Sequence, residues 1–225
     1  LDCDDPCFQI TQGTIWDGTT LHKLYETAYT PWEWQPKLKK IAEEMGLVFF
    51  SSPFDLTSID FLEEMEVPVY KVASFEINDI PFIRKIARTG KPIIMSTGIA
   101  YLADIELALR TCKEEGNENV ILCERGIRTF EKYTRNTLDL SAVPIIHEKT
   151  HLPIVVDPSH ATGKANLVEP MMIAAVAAGA DGLEVEVHYD PQHAWSDGAQ
   201  CLTPDAFAQA MAKCRQVAWA IGREM

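Results

Sequence analysis

The segment "GLEVEVHYD" (182–190) alternates ionisable and apolar side chains. With a strand's period of two, Glu184, Glu186 and His188 share one face, and Leu183, Val185 and Val187 share the other. If the apolar set meets a layer of helices, the polar set points inward, and three buried ionisable groups are costly unless a metal or counter-charges neutralise them. The preceding apolar run, "LPIVVD", closes on Asp-Pro-Ser-His, which puts His160 at a second strand end, and Asp197 follows in "HAWSDG". His160, Glu186 and Asp197 offer an imidazole and two carboxylates, a donor set suited to a divalent Mn, Fe or Zn ion. Taken singly, His160 has a plain reading as a loop cap and Glu186 as the partner of a lysine. Their recurrence at successive strand ends favours a metal centre.

A second set is basic and hydroxylic. Lys71 lies inside the apolar run "VPVYKVAS", Arg125 follows Glu124 at another strand end, and Ser52, Ser74 and Ser96 stand at three more. Together they suit a phosphate and a carboxylate, with arginine offering a bidentate fork. Each serine alone fits a strand-ending hydroxyl bonded to backbone. Lys71 is harder to explain so, because an unpaired ammonium in an apolar strand is costly.

The elements that would position these groups alternate along the chain. Strands are predicted at 47–52, 67–74, 91–96, 119–124, 152–157 and 182–188, with amphipathic helical stretches such as "TSIDFLEEM", "IPFIRKIARTG", "LADIELALRTCKEEG" and "LVEPMMIAAVAAG" between them. Such alternation implies parallel strands joined by right-handed crossovers. No glycine-rich phosphate turn follows any strand, whereas polar residues end nearly every one, as at the mouth of a (β/α)8 TIM barrel. Only six strands are found. The N-terminal stretch to about residue 46 reads as a Trp-rich loop and one helix, so the expectation is a single barrel-type domain over 1–225 without its first two strands.

With 33 acidic against 20 basic residues, the net charge of −13 disfavours nucleic acid and anionic membrane as partners. No run of 18 or more apolar residues or signal-like start is seen, and the expected location is cytoplasmic. The six cysteines lack paired metal spacing and are expected as free thiols. Unpaired strand edges predict a homo-oligomer.

Longer motifs carry two resemblances. From Gly13 to about Gly116, "GTIWDGTTLHKLYETAYTPWEW", "FFSSPFD", "YKVASFEIND" and "GKPIIMSTG" resemble the barrel of sialic acid synthases, pseudaminic acid synthases above all. From about Val120 onward, "VILCERGIRTFEKYTRNTLDLSAVPII", "LPIVVDPSHATG", "GADGLEVEVHYDP" and "SDGAQCL" resemble short-type 3-deoxy-D-arabino-heptulosonate 7-phosphate (DAHP) synthases. The division falls near residues 118 and 119. Both resemblances imply a (β/α)8 barrel that condenses phosphoenolpyruvate with an aldose or aldose phosphate under a divalent metal, giving a 3-deoxy-2-ulosonic acid. They imply that Lys71, Ser74, Ser96 and Ser52 hold phosphoenolpyruvate, that Glu76 contacts the acceptor sugar, that Arg125 binds phosphoenolpyruvate and, with Lys71, serves catalysis, and that His160, Glu186 and Asp197 are metal ligands. The DAHP synthase pattern also has a first-strand cysteine ligand and a Lys-Pro-Arg-Thr motif, which have no match here, and Ser96-Thr97 stands where it has Lys-Arg. Cys123 is a possible substitute ligand. The alternative is an engineered or truncated chimeric barrel fragment with little or no activity.

Overall fold

The computed structural model describes residues 5–11 and 16–225; Cys3 and the start of the first resembling motif, at Gly13, lie outside them. Five strands form one parallel sheet in sequential order: β1 (Tyr70–Val72), β2 (Ile93–Ser96), β3 (Val120–Glu124), β4 (Ile154–Val156) and β5 (Gly182–Leu183). The architecture is that of an incomplete (β/α) barrel. Two helices, α1 (Leu21–Ala28) and α2 (Gln35–Glu44), precede the sheet, and α3 (Leu56–Glu64) leads into β1. The connections then carry α4 (Ile80–Ala87), α5 (Leu102–Glu114), α6 (Ala142–Lys149), and α7 (Pro158–Thr162) with α8 (Ala165–Ala177); α9 (Pro204–Ala220) follows β5.

Capping residues fix where these helices begin. Asp55 accepts the backbone N–H groups of Thr57 and Ser58 in a capping box at α3, Asp79 caps α4 ahead of Pro81, and Thr203 caps α9 ahead of Pro204.

Alternation along the strands sorts core from site. Tyr70, Val72, Ile93, Met95, Val120 and Leu122 turn to the helices and pack with Ile59, Leu62, Phe82, Ile83 and Ile86. Ile154 and Val156 do the same against Val143 and Ala175. Each such fully buried aliphatic or aromatic side chain contributes roughly 1.5–3 kcal/mol relative to an exposed one. The intervening residues, Lys71, Ser96, Cys123, Asp157 and Glu184, face the other way and meet one another.

Two expected strands differ. Residues 47–52 form no ladder among the described residues, and Leu47 and Val48 are exposed. An apolar run becomes a strand only where a neighbour takes its backbone hydrogen bonds, and among the described residues β1 pairs with β2 and not with 47–52. The 182–188 strand ends as a ladder at Leu183, although Glu184 N still donates to Val156 O and Val187 bridges in parallel to Leu202. Leu183 and Val185 pack toward α8 and α9 as expected, but Val187 is exposed. Cys112, Cys123, Cys201 and Cys214 are buried free thiols.

Candidate active site

The strand ends deliver two adjoining groups of side chains. In the first, the Lys71 ammonium donates to Ser96 Oγ at 2.6 Å and pairs with Glu184 Oε1 at 3.4 Å. The lysine that looked unpaired in the sequence is therefore held by a hydroxyl and a carboxylate inside the barrel. The Cys123 thiol donates to the other Glu184 oxygen at 3.4 Å, and its pKa lies well above the ordinary thiol value because it is buried and faces Glu184. Ser52 lies on the wall of a cavity of about 280 Å³ that Lys71, Glu184, Phe50 and Val155 also line.

Gly98, just past β2, has room for no side chain. A Cβ there would strike the stem of Arg125 and come 2.9 Å from Ser74 Oγ, so Arg125 lies across Gly98 toward Ser74. The turn bearing Arg125 is fixed by buried Glu124, whose Oε1 accepts the N–H groups of Gly126 at 2.8 Å and Asp139 at 2.9 Å. Ser74 Oγ and Glu76 Oε2 are buried without a hydrogen-bond partner. Buried polar atoms are nearly always paired, so these two orphans near Lys71 and Arg125 leave hydrogen-bonding capacity unused by the protein. Burial raises the Glu76 carboxyl, with Lys71 pulling the other way.

The second group is the imidazole and two carboxylates. One ligand atom each from His160, Glu186 and Asp197 lies within 4.8 Å of the others. Asp157 at the N-cap of α7 holds the histidine twice: Oδ1 accepts His160 N at 2.9 Å and Oδ2 lies 2.6 Å from Nδ1. That leaves Nε2 facing Glu186 Oε1 at 3.3 Å. The strand therefore ends on Asp-Pro-Ser-His because the aspartate starts a helical turn and orients the histidine in it. Ser159 contributes too, its Oγ accepting Glu186 N at 3.0 Å. Asp197 sits at φ 53° and is held by Arg135 Nη1 at 3.1 Å and Gln200 Nε2 at 2.9 Å.

The electrostatics suit a cation. Burial raises Glu186, and Asp197, Asp157 and Glu184 add to it. Burial alone would lower His160, but Asp157 and Glu186 outweigh it and hold the imidazole above its ordinary value, against the nearby charge of Arg125. Burial pushes Asp197 up, yet Ser196, His160 and Arg135 together keep it below the carboxylate range. A pre-oriented imidazole and two carboxylates, one destabilised by burial among like charges, fit a divalent ion. His188 does not join them; its Nδ1 accepts Asp190 N and its ring stacks on exposed Tyr189. Cys123 clusters with Asp157 and Glu184.

Residues 2–225 match the NeuB family. The chain belongs to that family. Among similar proteins, this NeuB-family chain is 37% identical over 186 residues to the phospho-2-dehydro-3-deoxyheptonate aldolase of Thermotoga maritima, covering 82% of the chain and 55% of that protein. It is 34% identical over 214 residues to a pseudaminic acid synthase of Campylobacter jejuni, covering 95% and 60%. Both alignments are longer than either of the two halves read from the sequence. The crystal structure of the Thermotoga maritima DAHP synthase superposes with a TM-score of 0.82 at 32% identity, over 96% of this chain and 60% of that one. The NeuB-family chain thus spans 55–60% of the length of these relatives.

Proposed function

We infer that the chain carries the catalytic site of a phosphoenolpyruvate-dependent synthase that joins phosphoenolpyruvate to an aldose or aldose phosphate, yielding a 3-deoxy-2-ulosonic acid. The observation that carries this reading is the gathering of Lys71, Arg125 and two orphaned polar atoms at the same strand ends as a His, Glu, Asp triad. The names of relatives on both sides, a DAHP synthase and a pseudaminic acid synthase, support the same reaction class.

Lys71 and Arg125 hold the phosphate and carboxylate of phosphoenolpyruvate, with Ser52, Ser74 and Ser96 as hydroxyl partners. His160, Glu186 and Asp197 hold a divalent ion, Mn, Fe or Zn by donor type, that would polarise the acceptor aldehyde. Glu76, its carboxyl pKa raised by burial, receives an acceptor hydroxyl. The bond formed joins carbon 3 of phosphoenolpyruvate to the aldehyde carbon. The bond broken is between carbon 2 and the ester oxygen, water replaces that oxygen, and phosphate leaves. Lys71, bonded to Ser96 and Glu184, is placed to exchange a proton with the departing or entering oxygen.

The test is incubation with phosphoenolpyruvate, Mn²⁺ and either erythrose 4-phosphate or an N-acetylated hexose, in isotopically labelled water. Phosphate release that needs both metal and aldose, with label in the keto acid and not in phosphate, supports the reading. Label in the phosphate would mean a phosphatase.

A further inference from the structure

We propose that Arg135 is a positioning residue for the metal centre, locking Asp197 at the distance from His160 that one ion requires. The proposal rests on the metal reading above. Arg135 and Asn136 lie between β3 and α6 and are clipped to α7 at three consecutive residues. Arg135 N donates to Thr162 O at 3.1 Å, Asn136 N to Ala161 O at 2.7 Å, and Asn136 Nδ2 to His160 O at 3.3 Å.

Two glycines make room for this clip. At Gly163, with φ 67°, a Cβ would come 2.8 Å from Arg135 Cβ, and at Gly126, with φ 102°, one would come 2.6 Å from Asn136 Cβ. The dipeptide is thus wedged between the turn that carries Arg125 and the helix that carries His160. From that anchorage the Arg135 side chain crosses to a residue 62 positions away, Nη1 meeting Asp197 Oδ1 at 3.1 Å. Gln200 closes the triangle, donating to the same Asp197 oxygen at 2.9 Å and accepting from Arg135 at 3.4 Å.

The arrangement divides the work of the aspartate. Oδ1 is taken by Arg135 and Gln200, while Oδ2 meets the rotatable Ser196 hydroxyl at 2.9 Å and is the oxygen an ion would take. Asp197 also needs the tether for its backbone, because φ 53° is a left-handed conformation that a non-glycine residue adopts at a cost. His160 and Asp197 come from separate segments, and metal bonds tolerate little error in spacing. Arg135 is the side chain that reaches Asp197 from the segment clipped to the His160 helix, alongside the backbone bond from Ala165 N to Ala199 O at 2.9 Å.

Three proteins test this: wild type, Arg135→Met, which keeps the stem against Gly163, and Arg135→Lys, which keeps the charge. Co²⁺ binding to metal-free protein is followed by calorimetry and by the visible absorption of the ion. Arg135→Met is expected to weaken Co²⁺ by about 10–100-fold and to alter the absorption, with the metal-free unfolding midpoint near wild type and part of the affinity restored in Arg135→Lys. Wild-type affinity and an unchanged spectrum in Arg135→Met would overturn the proposal. Should that variant not fold, Arg135→Gln is read the same way. Wild-type protein that takes up no Co²⁺ would overturn the metal reading and this proposal with it, whereas tight binding unaffected by Arg135 overturns the proposal alone.

Discussion

Asp157 Oδ2 lies 2.6 Å from Nδ1 of His160, and this contact decides which ring nitrogen faces Glu186. With the proton on Nδ1, Nε2 keeps its lone pair for an ion. In the variant Asp157→Asn, the new amide would accept His160 N through its oxygen and turn its own N–H toward Nδ1, driving the ring proton onto Nε2. Asp157→Asn is therefore expected to lower affinity for Mn²⁺ or Zn²⁺ by about 10–100-fold while the fold persists. Calorimetric titration checks this, and an unchanged affinity would show that the contact serves only the helix cap.

Glu184 and Lys71 form an ion pair at 3.4 Å with the lysine buried and the glutamate one-third exposed. Glu184→Gln leaves the ammonium with Ser96 alone. The expected loss of stability is on the order of 1–3 kcal/mol, between the values for exposed and for buried pairs. An anion that replaces the lost charge should then stabilise the variant more than wild type. Thermal unfolding with and without phosphoenolpyruvate measures it, and an equal or smaller gain in the variant would exclude a competition between Glu184 and phosphoenolpyruvate for Lys71.

Glu124 gives a pH dependence with a definite sign. Burial raises its folded-state pKa above the unfolded value, against the N–H groups of Asp139 and Gly126. The group therefore contributes stability below its unfolded pKa of about 4.3, and this contribution is lost as pH rises through the folded pKa. Both donors use Oε1, so Glu124→Gln can keep them without the charge. The stability of Glu124→Gln relative to wild type is expected to increase from about pH 4.5 to about pH 7, read from urea midpoints. A difference that stays flat or falls over that range would contradict the assignment.

The alternation in "GLEVEVHYD" was enough to place Glu184 and Glu186 inward, and the stray lysine of an apolar strand marked the cluster it forms with Ser96 and Glu184. Alternation could not tell that the chain leaves the sheet before His188, because that depends on Leu202 arriving to pair with Val187. Residues 47–52 have strand-like side chains, but a ladder is a property of two segments. Asp157 was the most accessible of the missed residues, since an aspartate three positions before a histidine at a helix start is a capping signal. Arg135 and Gln200 carry no such local sign; their role arises from contacts between distant segments.

Binding of phosphoenolpyruvate tests the central claim most directly, because it calls on Lys71 and Arg125 without the acceptor. The wild-type chain is expected to unfold at a higher temperature as phosphoenolpyruvate is added, with saturation, and Lys71→Ala or Arg125→Ala is expected to abolish the rise. Absence of any rise in wild type, or an undiminished rise in both variants, would contradict the account.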